Sequence, residues 1–375
     1  MLTERQESVS IEGREPNPHE HLFPALFTVS VGMLRTGRAR GVADTINAEM
    51  AQVNILSIDG GGIRGIIPAM ILAELEDRLP MPIAERFHLI AGTSTGGILA
   101  LGLTKPDARG RPQYAARDLV ALYEREGARI FSRSVWHRLH AVGNIAEEKY
   151  PSEGIEQVLD EYFGEARLKD VVTDVLITSY EIERRIPWFF KSRKAKVNDE
   201  YDFPMKVVAR ATSAAPTYFE PLKVETSDRS DYYALIDGGV FANNPALCGF
   251  VEAKTMFPQA EDILLVSLGT GQLTRRIPYD EARGWGLARW AQPLLNVVFH
   301  GVSATVDYHL RHLLPPASDG TKRYYWFQPR LDEGNDDLDD ASRTNIRVLK
   351  LLAEAIVREH TDDLENLCQQ LAQSA

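Results

Sequence analysis

Apolar residues in this chain come in short runs that end in glycine, then resume at helical spacing. Val53 to Ile58 predicts a buried strand, closed by Asp59-Gly60-Gly61-Gly62-Ile63-Arg64-Gly65. Ile67, Met70, Ile71, Leu75 and Leu79 then predict a helix from about Ile66 to Leu79, with Pro68 tolerated in the first turn. Phe87 to Ala91 predicts a second strand, Gly92-Thr93-Ser94-Thr95-Gly96 a sharp turn, and Ile98 onward a second buried helix. Strand, turn, helix repeated in this way predicts a parallel sheet covered by helices, hence an α/β fold. Further helices are predicted over Arg117–Ile130, Pro151–Phe163 and Lys206–Ala215. Further strands are predicted over Asp174–Ser179, Trp188–Lys191, Leu235-Ile236, Ile263–Leu268 and Tyr324–Phe327. Asp340 is placed to cap a last helix carrying Ile346, Leu349, Leu352 and Ile356. Phe131 to Tyr150 shows no clear period.

These runs begin only after residue 50. Residues 1–50 are polar at first, carry Pro16 and Pro18, and are expected to form a poorly ordered arm. Residues 51–360 are expected to form one large domain, and 361–375 a helical tail. Lys and Arg number 42 against 53 Asp and Glu, a net charge of −11, which speaks against nucleic-acid binding and against general attraction to anionic membranes. The two cysteines, Cys248 and Cys368, suggest neither a disulfide framework nor a zinc site, and a reducing cytoplasm is the expected compartment. No apolar run is long enough to span a bilayer, and Leu22 to Leu34 lacks the basic flank of a signal peptide.

The glycine turns carry the chemistry. Gly92-x-Ser94-x-Gly96 between a strand and a helix is the pattern of a nucleophile elbow, where flanking glycines leave room for the tight turn and the serine oxygen stands out at the strand end. Gly60-x-Gly62-x-x-Gly65 matches a dinucleotide fingerprint, but the next strand ends in Ala91-Gly92-Thr93-Ser94, without the acid that would hold a ribose. The other reading of Gly60, Gly61 and Gly62 is an oxyanion hole, in which unobstructed amides at a helix start stabilise a developing negative oxygen, roughly 3 kcal/mol of barrier per donor. Arg64 is expected either to support that charge or to pair with Asp59. Ser94 also needs a base. None of His300, His309, His312 and His360 sits at a strand end or in a glycine turn, whereas Asp237 follows Ala234-Leu235-Ile236 and precedes Gly238-Gly239. A carboxylate in direct contact with the serine, in a partly dry site, can do that work; the plain alternative is an ordinary Asp-Gly turn.

Taken in order, Asp59 to Gly65, Gly92 to Gly96 and Asp237-Gly238-Gly239 resemble the motifs of the patatin-like phospholipases. Arg210-Ala211-Thr212-Ser213-Ala214-Ala215-Pro216-Thr217-Tyr218-Phe219, Val240-Phe241-Ala242-Asn243-Asn244-Pro245 and Leu338-Asp339-Asp340-Ala341-Ser342 agree with the same family. The resemblance runs from about Val53 to the final helix. It implies a three-layer α/β/α fold with a mainly parallel central sheet. It also implies a Ser–Asp dyad of Ser94 and Asp237 without histidine, an oxyanion hole at Gly60 to Gly62, and hydrolysis of phospholipid or other lipid acyl esters through an acyl-enzyme, with no metal or cofactor. A nucleotide-binding module on Gly60 to Gly65 and a Ser-His-Asp esterase stay as alternatives. Peripheral contact with a membrane is a further expectation. Its candidate is Glu183 to Lys196, where basic residues surround Trp188, Phe189 and Phe190; the favoured reading of that stretch is a hairpin with its aromatics in the core.

Overall fold

The computed structural model describes residues 52–131, 151–274, 276–332 and 337–373. The expected arm over 1–50 and residues 132–150 lie outside the described residues. The elements that matter are β1 (Gln52–Ile58), α1 (Ile66–Arg78), β2 (Leu89–Thr93), α2 (Thr95–Thr104), α3 (Ala116–Ile130), α4 (Glu153–Phe163), β3 (Asp174–Glu181), β4 (Ile186–Lys191), α5 (Met205–Thr212), β5 (Leu222–Glu225), β6 (Tyr232–Asp237), α6 (Ala246–Met256), β7 (Asp262–Leu268), α7 (Leu287–Leu313), β8 (Tyr324–Phe327), α8 (Arg343–Glu359) and α9 (Thr361–Gln373).

One eight-stranded sheet runs β5-β6-β3-β2-β1-β7-β8 along its hydrogen-bonded path, with β4 paired to β3 off that path. The centre is parallel: β1 pairs with β2 and β7, β2 with β3, and β7 with β8. The β4, β5 and β6 pairings are antiparallel. Side chains alternate between faces with the period of two that a strand dictates. Val53 and Ile55 of β1 join Leu89, Ala91 and Leu265 in one apolar cluster with α6 and the later part of α7. Leu56 and Ile58 join Ile90, Leu264 and Val266 in the other, with α1, α2, α3 and α8. Central strands buried on both faces require helices on both sides, and this gives the three-layer architecture.

Three local expectations change. The last helix is capped by Ser342, whose hydroxyl accepts the Asn345 amide, while Asp340 accepts the Ser342 amide one step earlier. The helix expected to reach Ala215 ends at Thr212, because Pro216 disfavours helical geometry at the residue before it. The Leu235-Ile236 strand extends over Tyr232–Asp237, since β5 supplies a neighbour that local pattern did not announce. Leu364, Leu367 and Leu371 of α9 are fully buried in the larger core cluster.

Candidate active site

The sheet register brings the serine and the aspartate together. β3 carries β4 along one edge, opposite Leu176–Glu181. Its other edge is shared. β2 rises along it until Thr93 faces Thr178, and β6 descends along it until Asp237 faces Ser179. Two strands from distant parts of the chain therefore meet end to end, and Ser94 and Asp237 sit at the meeting point. Hydroxyls weld the junction: Thr93 Oγ1 lies 2.7 Å from Thr178 Oγ1 and donates to the Ala242 carbonyl at 2.6 Å.

Ser94 occupies φ 55°, ψ −124°, a region that non-glycine residues avoid at a cost of about 1–3 kcal/mol. The surroundings hold it there. Its amide donates to Thr212 Oγ1 at 2.8 Å, and that hydroxyl donates to the Thr178 carbonyl at 2.6 Å. A Cβ on Gly92 would lie 2.4 Å from the Gly96 carbonyl oxygen, and one on Gly96 would lie 2.1 Å from the Ile58 carbonyl oxygen. The turn can only be this tight with glycine at both places. α2 starts at the next residue, so its positive end faces the serine.

Asp237 is buried, 2% exposed. Its Oδ1 accepts the Gly239 amide at 2.7 Å, and its backbone amide donates to the Ala214 carbonyl at 3.0 Å. Burial raises its pKa to about 7, while hydrogen bonds from the Ser94 side chain and the Gly239 amide hold it back. Gly238 lets the strand end close on β3, since a Cβ there would lie 2.1 Å from Thr178 Oγ1.

The first glycine turn runs past the serine, and its amides differ in what they already hold. The Gly60 amide donates to the Asn243 carbonyl at 2.9 Å, and the Ile63 amide to the Leu338 carbonyl at 2.8 Å. Gly60 therefore has no amide hydrogen to offer an oxyanion, which corrects the expectation for that residue. The amides of Gly61 and Gly62 are aimed by bonds to the carbonyls of their own peptide units. Thr270 Oγ1 donates to the Gly60 carbonyl at 2.6 Å, and Arg64 Nε donates to the Gly61 carbonyl at 3.3 Å. In a trans peptide the N–H points opposite the C=O, so these two amides point away from Thr270 and Arg64. Thr270 and Arg64 line a small pocket behind the loop, while Gly61 and Gly62 line the cavity that holds Ser94 and Asp237. Arg64 thus acts on the loop's backbone and does not pair with Asp59. Asp59 is buried instead, and desolvation pushes it well above the usual carboxylate range against a smaller effect of the Ser303 hydroxyl.

The cavity over Ser94 is apolar, walled by Ile98, Leu122, Ile130, Phe131, Phe219 and Phe299 among others, and no histidine lines it among the described residues. His300 lies behind the glycine loop, in the pocket of Arg64 and Thr270. No three His, Cys, Asp or Glu side chains converge as a metal site among the described residues. A Cβ on Gly61 would lie 2.2 Å from Thr270 Oγ1 and one on Gly62 would lie 2.1 Å from the Leu338 carbonyl oxygen, so the loop requires glycine at both places.

The stretch from Glu183 to Lys196 forms the hairpin of β3 and β4 and the turn after it. Phe190 is 2% exposed, Lys191 pairs with Glu252, and Lys196 pairs with Asp174. Thr212, Asn243, Thr270 and Phe299 are the contributors that motif reading gave no role. Thr212 and Asn243 stand inside the blocks Arg210–Phe219 and Val240–Pro245, and Thr270 between two glycines at the end of β7, so their setting was visible although their partners were not.

The chain is similar to known proteins over most of its length. A family model described as Patatin-like phospholipase matches residues 56–247, a span that contains Gly60, Ser94 and Asp237. Patatin-like protein 4 of Arabidopsis thaliana is 33% identical over 333 residues, covering 81% of this chain and 83% of that protein. Patatin-T5 of Solanum tuberosum is 34% identical over 334 residues, covering 82% and 84%. Another Solanum tuberosum relative, 33% identical over 337 residues and covering 83% and 88%, bears the name Probable inactive patatin-3-Kuras 1.

Proposed function

The chain belongs to the patatin-like phospholipase family and is a lipid acyl hydrolase, and on that premise we propose that it cleaves its substrate with a dyad of Ser94 and Asp237 through an acyl-enzyme. Ser94 Oγ attacks the ester carbonyl carbon while its proton passes to the Asp237 carboxylate. The carbonyl oxygen takes the negative charge and is held by the amides of Gly61 and Gly62, with the α2 N-terminus adding a favourable field. The tetrahedral intermediate collapses, the alcohol portion of the lipid leaves with the proton from Asp237, and the acyl group stays on Ser94. Water, deprotonated by Asp237, then attacks the acyl carbon; the bond to Ser94 Oγ breaks, Asp237 returns the proton to that oxygen, and the fatty acid leaves.

One observation carries this reading: a buried carboxyl raised to about 7, at the strand end that meets the strained serine, under an apolar roof. A base works best with a pKa near the operating pH, and a free Asp near 3.9 would be too weak. Thr270 and Arg64 are positioning residues, fixing the amide donors before substrate arrives. Mass spectrometry of a lipid extract incubated with wild type, Ser94→Ala or Asp237→Asn checks the proposal. Free fatty acid and deacylated lipid should accumulate with wild type only, and unchanged product with Asp237→Asn would reject the dyad.

A further inference from the structure

The long helix α7 has two different faces. Its inner face is buried: Phe299 lines the cavity of Ser94, and Ser303, Val306 and Leu310 follow at helical spacing. Its outer face should be polar on an ordinary surface helix. Instead Leu287, Leu294, Val297 and Tyr308 stand 93%, 51%, 47% and 63% exposed, with Trp290 half-buried on the same stripe. From Leu287 to Val306 the helix carries one arginine, one histidine and no acid, in a chain with 53 Asp and Glu. The segment before it continues the theme. Ile277 and Tyr279 are exposed, Trp285 and Trp290 meet edge to face at 5.1 Å, and Arg289 lies over the Trp285 ring. Arg276, Arg283 and Arg289 stand with Asp280, Glu281 and Asp337, the last lining the same groove as Arg276 and Arg289, and the two ion pairs among them are long and exposed, so the patch is free of the acidic excess of a chain with net charge −11.

We propose that this face, Ile277 to Val297, is the surface by which the protein seats on an anionic lipid bilayer. The inference rests on the reading of the cavity as the site of lipid cleavage. Leucine, tryptophan and arginine together are the chemistry of the membrane interface, where apolar side chains enter the acyl boundary and cations meet headgroup phosphates. No helix among the described residues is long and apolar enough to cross a membrane, so the contact is peripheral. The net charge of −11 repels an anionic surface everywhere else, and docking must therefore be local. The basic hairpin at Glu183 to Lys196 is a weaker candidate, since Lys191 and Lys196 are already paired. The same helix that presents this face to solvent also lines the cavity of Ser94 through Phe299.

The test uses full-length protein and vesicles of phosphatidylcholine with or without phosphatidylglycerol. Wild type should sediment with the anionic vesicles, and the triple variant Leu287→Asp, Leu294→Asp, Val297→Asp should bind them at least about tenfold more weakly. Hydrolysis of p-nitrophenyl butyrate in free solution should be the same for both, because none of the three residues lines the cavity. Unchanged vesicle binding by the variant, or absence of binding by wild type, overturns the proposal. So does a dimeric wild type that the same substitutions make monomeric. Wild type that binds vesicles but cleaves no ester leaves the docking face intact and rejects the catalytic reading instead. Brominated lipids give a check free of folding effects: bound wild type should show quenched tryptophan fluorescence, and Trp285→Phe with Trp290→Phe should remove most of the quenching. Bound wild type without quenching contradicts the assignment.

Discussion

Asp59-Gly60-Gly61 and Asp237-Gly238-Gly239 are the same tripeptide, each at the end of a strand of one sheet, and burial raises both carboxyls. Their neighbours differ. Asp237 accepts the Gly239 amide, and the Ser94 side chain also favours its charged form, so it sits near 7. Asp59 faces the Ser303 hydroxyl and little else that would favour charge, and it remains well above the carboxylate range. Desolvation thus raises both carboxyls, and the amide of Gly239 sets Asp237 apart.

The widest separation between the two turns is expected in activity. Asp237→Asn should lower kcat for a soluble ester by about 10³ or more, as loss of a dyad member does elsewhere. Asp59→Asn, at a residue that does not line the cavity of Ser94, should stay within about tenfold of wild type. Equal losses in both would erase the distinction. The next effect is on stability. Because the folded pKa of Asp237 is raised from near 3.9 to about 7, its contribution favours the folded state at low pH and is lost as pH rises through about 7. Asp237→Asn should therefore be more stable than wild type at pH 8, by on the order of 4 kcal/mol, and show no gain at pH 4 in urea titrations. A gain that does not depend on pH would mean that burial is not what raises this carboxyl.

The glycines sharpen the same comparison. A Cβ on Gly61 would lie 2.2 Å from Thr270 Oγ1, whereas one on Gly239 would lie 3.1 Å from its own Asp237. Gly61→Ala should cost about 1–3 kcal/mol by thermal or chemical denaturation and Gly239→Ala less; the reverse order would place the tight packing at the wrong turn. The smallest effect is expected from Thr270→Val, which removes the bond to the Gly60 carbonyl and should lower kcat about tenfold with KM unchanged. A rise in KM alone would assign Thr270 to substrate binding.

Much of this was legible in the chain. The strand-turn-helix order and the glycine turns that carry Ser94 and Asp237 follow from local pattern, because a tight turn demands glycine and a buried strand demands apolar runs. What the pattern could not carry is which backbone groups are already spent. The bond of Gly60 to Asn243 spans most of the domain, and Thr270 reaches Gly60 across 210 positions. Nor does a single strand reveal that β2 and β6 share one edge of β3, since that depends on where β4 pairs. The outer face of α7 escaped because its apolar residues have the spacing of a core helix, and only the fold shows which of them face solvent.

The central claim is that Asp237 takes the proton from Ser94 during acylation. Stopped-flow release of p-nitrophenol in the first turnover measures that step across pH. In wild type the acylation rate should rise about tenfold per pH unit and level off with an apparent pKa near 7, and in Asp237→Asn it should be about 10³-fold lower and lack that inflection. An Asp237→Asn variant that keeps the wild-type rate and the same inflection would contradict the account and place the base on another residue.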